Sequence, residues 1–236
     1  MTRGRASLVR PSGLTMAAAV ASAAIIAWSA GFLLVRYAAL PPLLPVHFQP
    51  NGYPNGWQFK TYWRVLLPVF IEIALALTLG AIGTLLLSRA HGVHDEEAAD
   101  VRAASTAAEA VALLTLIWVA FQGYAAGALA LMWQRQRGGL GPAYDYLEAA
   151  AIVMTIVVAI RANSHLGRPV ARPFVPEHWR YGQLYKNAED PALFVPTRHG
   201  ARWTLNFGRP VTAVLLGVIL VLGIVCPVVI LALLLR

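Results

Sequence analysis

The stretch YDYLEAAAIVMTIVVAI, residues 144–160, decides how the chain is folded. It is near the lower length limit for a transmembrane helix, because a bilayer core about 30 Å thick needs roughly 20 residues rising 1.5 Å each. It also carries Asp145 and Glu148 at its start. In the first turn of a helix such acids are favoured by the dipole, so they mark a helix start as readily as they argue against a span. Four longer apolar runs surround it, at residues 14–38, 62–87, 107–133 and 211–235. If 144–160 crosses the bilayer there are five spans, and with the N-terminus inside, thirteen of the nineteen lysines and arginines fall on the cytoplasmic side. If it does not, the arginine-rich residues 161–209 move outside and the asymmetry reverses. The charge distribution therefore selects five spans, N-terminus inside and C-terminus outside.

Composition points the same way. Of 236 residues 58% are hydrophobic and 13% charged, with a mean hydropathy of +0.60, which excludes an ordinary soluble core. The net charge of +8 is not gathered into a base-reading motif, so nucleic acid is not expected as a partner. The cations stand beside apolar runs, as suits an anionic bilayer surface. Arg3, Arg5 and Arg10 precede a first apolar run too long for a cleaved signal peptide, and a retained signal anchor is expected. Cys226 has no second cysteine to pair with, so no internal disulfide can form.

The expected fold is thus an all-α membrane protein: a five-span helical bundle with a small ordered outer loop and a cytoplasmic insertion before the last span. Residues 1–88 hold two spans and the outer loop 39–61, and 89–106 are a cytoplasmic connector. Residues 107–162 hold the third and fourth spans, 163–209 an arginine- and aromatic-rich cytoplasmic segment, and 210–236 the fifth span. In the outer loop, LPPLLPVHFQPNGYPNGWQFK, five prolines exclude a continuous helix, while Asn51-Gly52 and Asn55-Gly56 are turn signals compatible with a short β-ribbon. Trp57, Tyr62 and Trp63 approach the next span as an interfacial belt would.

Several residues are candidates for function, each beside a plainer reading. His47 could titrate, ligate a metal or cap a turn, but the outer loops offer no second histidine or cysteine for a catalytic zinc site. Glu72 lies within the second span, where a charge is costly; it is protonated, paired with another helix, or open to a polar cavity. His91, His94 and Asp95 would share a helical face as a weak divalent-metal candidate, against the plain reading of a solvated connector. Gly123 and Gly127 give a small-xxx-small spacing that lets helices approach. Between residues 179 and 209, Arg198, Arg202, Trp203 and Arg209 would anchor on lipid headgroups or dock a soluble protein. No phosphate loop, nucleophile elbow or zinc-protease helix is present. No enzymatic activity, metal or cofactor is expected.

Two stretches resemble known families. Leu40, Pro41, Leu44, Pro45, His47, Phe48, Gly52, Pro54 and Trp57 follow the spacing LP-x-x-IP-x-HF…G-x-P-x-x-W, and with the flanking spans residues 14–87 resemble the bacterial domain of unknown function that begins SdpI-type immunity and signal-transduction proteins. Asn55 stands where that pattern commonly has aspartate. The resemblance implies a bacterial inner-membrane protein that meets a peptide outside and relays to a cytoplasmic partner, with no catalytic residue to carry over. YKNAEDPALFVPTRHGARWTLNFGRP, residues 185–210, is similar to a second small uncharacterised bacterial domain. The expectation is a non-enzymatic recognition or immunity component, with His47, Phe48, Asn51, Gly52 and Trp57 facing a peptide or envelope partner outside. An accessory subunit of a larger membrane complex is the alternative, and a small transporter built on Glu72 the third reading.

Overall fold

The computed structural model describes residues 6–90, 98–136, 138–166, 173–190, 192–200 and 202–221. Among the described residues four helices are long and apolar enough to cross a membrane: α1 (Gly13–Arg36, continued by a 3₁₀ turn to Ala39), α3 (Leu67–Leu87), α4 (Ala98–Arg135) and α5 (Pro142–His165). A short α2 (Tyr62–Val65) precedes α3, and α6 (Pro210–Leu220) opens the last apolar run. The contested stretch 144–160 is therefore helical and lies within α5, with Asp145 in its first turn. The five-span expectation is met for four helices; the rest of the fifth run lies outside the described residues.

Many apolar side chains on these helices face outward, among them Val20, Trp28, Ile71, Leu77, Val157 and Ile160, and α5 buries fully only Ala151 and Val158. Apolar exposure on this scale, on helices whose backbone bonds are satisfied internally, is what lipid-facing surfaces require.

The helix boundaries differ from the apolar runs for local reasons. The second run is broken at Leu66 (φ −86°, ψ 0°), just ahead of Pro68, which has no N–H to give to the preceding turn. Thr61 starts α2 by accepting from the Arg64 amide at 3.3 Å. Helix α4 begins well before its apolar run, because the alanine-rich DVRAASTAAEA is strongly helix-forming whether or not it is apolar. Residues 98–106 of the connector are accordingly helix.

The chain divides into two compact units. One comprises Gly13–Leu79 and Ala112–Ile160. Its core gathers Leu33 of α1, Leu40 beyond its end, Val65 and Val69 from α2 and α3, and Ala126, Ala130 and Trp133 from α4. Gly123 lets α4 approach α1 so closely that an added Cβ would stand 3.0 Å from Ile25 and 3.1 Å from Ser29 Oγ. The other unit comprises Met1–Ser12, Gly80–Val111 and Arg161–Arg236. In it β1 (Ala6–Leu8) pairs antiparallel with β4 (Ser88–Ala90), and Glu109 accepts from Ser12 Oγ at 2.9 Å and meets Arg161 at 3.5 Å.

Candidate functional site

The proline- and glycine-rich loop is a β-hairpin, β2 (Leu43–Phe48) against β3 (Pro54–Phe59), in the register Leu43↔Phe59, Pro45↔Trp57 and His47↔Gly56. Leu44 is fully buried and belongs to the helical core, with Pro45 buried beside it. Lys60 fastens the other strand: its Nζ donates to the carbonyls of Tyr37 (3.1 Å) and Leu40 (2.8 Å), just beyond the end of α1. The two Asn-Gly pairs have different tasks. Asn51-Gly52 makes the turn, with Asn51 Oδ1 accepting from the Tyr53 amide and Gly52 at φ +81°, a conformation that favours glycine. Asn55-Gly56 lies within β3 opposite a bulge at His47, where a Cβ on Gly56 would come within 2.8 Å of His47 Cβ.

This geometry sorts the expected binding residues. Phe48 is half-buried against Gly138, and the Gly52 carbonyl accepts from the Gly138 amide at 2.7 Å, so Phe48, Asn51 and Gly52 shape the hairpin and tie it to the α4–α5 loop. His47 and Trp57 remain accessible, joined by Phe59, which is 75% exposed. Exposed aromatics on a strand ribbon rooted in a core form a stiff presenting surface.

Glu72 is fully buried on α3, and Ser29 of α1 is its polar neighbour. Neither carboxyl oxygen makes a hydrogen bond, nor does Ser29 Oγ. Among the described residues Glu72 is the one buried acid, so they contain no chain of buried carboxyls for a relay.

The arginine- and aromatic-rich segment is more self-contained than its length suggests. It forms two small hairpins, β5 (Trp179–Arg180) with β6 (Leu184–Tyr185), and β7 (Phe194–Pro196) with β8 (Trp203–Leu205). Leu193, Val195 and Asn206 are buried. Arg198 and Arg202 are exposed at the turn between β7 and β8, and Arg198 stacks on Phe174 at 4.6 Å. Trp203 is half-buried in β8, and Arg209 is the N-cap residue of α6. These four residues therefore do not form one cluster of free side chains.

The organising residue is Asn206, which the sequence marks only as one position of the stretch 185–210 similar to a small uncharacterised domain. Asn206 Nδ2 donates to the carbonyls of Asn187 (2.8 Å), Asp190 and Ala192 (both 3.2 Å), and Oδ1 accepts from the amides of Asn187 (3.1 Å) and Gly208 (2.9 Å). Thr212, buried in the first turn of α6, donates from Oγ1 to the Asn206 carbonyl at 2.6 Å. Gly208 leaves no room for a side chain, since a Cβ would stand 2.4 Å from the Asn187 backbone. The sequence signal was a lone Asn between Leu205 and Phe207 and a glycine just ahead of Arg-Pro.

The metal candidates His91, His94 and Asp95 lie outside the described residues, and among the described ones no group of His, Cys, Asp or Glu is placed to hold a metal. No curated protein and no solved structure matches the chain. Residues 188–212, which contain the Asn206–Thr212 knot, are similar to a family of unknown function, DUF5808.

Proposed function

We propose that the protein is a non-enzymatic recognition component of the bacterial inner membrane, which captures a peptide or envelope partner outside through the β2–β3 hairpin. The observation that carries this reading is the hairpin itself: Leu44 and Pro45 root it in the core, Lys60 and Gly138 tie it down, and His47, Trp57 and Phe59 remain exposed. A surface already ordered loses little freedom on binding, and aromatics supply most contact area per ordered residue. The resemblance of residues 14–87 to SdpI-type proteins is consistent with this role. In our reading the N-terminus and residues 173–209 face the cytoplasm, so that Arg198 and Arg202 are available to a second partner there.

Photocrosslinking from residue 55 in intact cells tests the proposal. A discrete adduct should form and be lost in His47→Ala/Trp57→Ala, while the protein stays in the membrane; an adduct unaffected by the double substitution rejects it. Thiol labelling from outside at single cysteines placed at 55 and at 198 should modify the first alone, and equal reaction at both would overturn the orientation.

An accessory subunit of a larger complex is the second reading, favoured by α5, which fully buries only two residues along its length. Stoichiometric subunits surviving gentle detergent purification would select it.

A further inference from the structure

The unit built from α1, α4 and the start of α5 contains a cavity of 670 Å³ with two chemically distinct ends. Its wall on α1 is Trp28 and Phe32, stacked one turn apart with ring centroids at 5.3 Å. Its floor on α4 runs from Gly123, packed on Ile25 and Ser29, past Gly127, where no side chain intrudes, to the apolar Leu131. Gly123 and Arg135 both line it, and twelve residues of helix between them rise about 18 Å. That is close to one leaflet, roughly half of a hydrocarbon core about 30 Å thick.

The Arg135 end is polar and cationic. Arg135 is exposed there, and Arg36 is held over the lining ring of Phe32 at 4.6 Å while donating to Gln134. The α4–α5 loop adds backbone rather than side chain: Gly139 and Gly141 have φ of +104° and +88°, with open space where a Cβ would stand. Asp145 and Glu148, the nearest acids in sequence, do not line the cavity.

We propose that this groove is a binding site for one anionic phospholipid, an acyl chain lying along Gly123–Leu131 against the stacked rings of Trp28 and Phe32, and the phosphodiester beside Arg135 and Arg36. A free phosphate would leave the apolar length unfilled. A zwitterionic lipid would bring its own cation to the arginine end. An anionic headgroup with one chain of leaflet depth satisfies both ends, and an arginine is the side chain best suited to a phosphate.

The full-length protein is reconstituted in equimolar phosphatidylglycerol and phosphatidylcholine vesicles, extracted in mild detergent and analysed by native mass spectrometry. The wild type should retain one phosphatidylglycerol in preference to phosphatidylcholine. Arg135→Gln, at an exposed position, should cut that preference about tenfold, as loss of one charge-assisted contact implies. Arg135→Lys should keep most of it. Gly127→Leu fills the floor and should lose the retained lipid; where it does not fold, Arg135→Gln decides alone. Equal retention of both lipids by the wild type, an unchanged preference in Arg135→Gln, or a second copy of the chain in place of lipid would each overturn the proposal.

Discussion

Replacing Asn206 by alanine removes a buried amide that satisfies five backbone groups. Two of them, the Asn187 and Gly208 amides, lose the acceptor Oδ1, and the carbonyls of Asn187, Asp190 and Ala192 lose the donor Nδ2. A buried donor left without a partner costs about 1–3 kcal/mol, so the two amides alone give about 2–6 kcal/mol, and about 3 kcal/mol allows for water reaching part of the site. At 1.4 kcal/mol per tenfold this raises the open population of the segment roughly 150-fold. The peptide bond after Lys186 reports on it directly, because its N–H, that of Asn187, is the one held by Asn206 Oδ1. Trypsin cleavage there, followed by mass spectrometry on the detergent-purified protein, should accelerate by about two orders of magnitude, since cleavage tracks the open fraction when reclosing is fast. Asn206→Asp keeps the acceptors but gives up the three donated contacts and buries a charge, so it should be cut at least as fast. Arg198→Ala at the exposed turn should leave the Lys186 site unchanged. If Asn206→Ala accelerates cleavage less than threefold, the knot is not what holds this segment together.

Gly56→Val should disorder the hairpin, since its Cβ would collide with His47 Cβ across the bulge; a loss of about 1–3 kcal/mol, the range for overpacked sites, would be read as a lowered thermal midpoint in detergent. Glu72→Gln keeps the shape of a buried carboxyl that has no hydrogen-bond partner while removing its ability to ionise. Its melting midpoint should equal or exceed that of the wild type, and a clear fall would mean that Glu72 is charged and compensated. Arg161→Ala should cost under about 1 kcal/mol in a thermal melt, because the arginine side chain of the pair with Glu109 is 52% exposed.

What was legible in the sequence follows from the range over which each physical cause acts. The long apolar helices could be read because hydropathy sums locally along the chain, and the weak stretch 144–160 could be read as helical because Asp145 suits a first turn. The extension of α4 over residues 98–106 was missed because hydropathy marks burial in lipid, whereas helix propensity acts on polar alanine-rich sequence equally well. The hairpin could be anticipated, but not the division of labour between its two Asn-Gly pairs. Both have the same intrinsic turn chemistry; burial of Leu44 and Pro45 under the core sets the register, which makes Asn51-Gly52 the turn and puts Gly56 opposite the His47 bulge. Asn206 lay furthest from view. Its partners Asn187, Asp190 and Ala192 are 19, 16 and 14 residues away. No periodicity encodes such contacts, and an asparagine beside an aromatic reads as surface until the backbone folds around it. The same holds for the lipid groove: Gly123 and Gly127 signalled close helix packing, and Gly123 does pack on Ile25 and Ser29. The space lined by Gly127 is walled by Trp28 and Phe32, stacked one turn apart on α1, and reaches Arg135 at the end of α4.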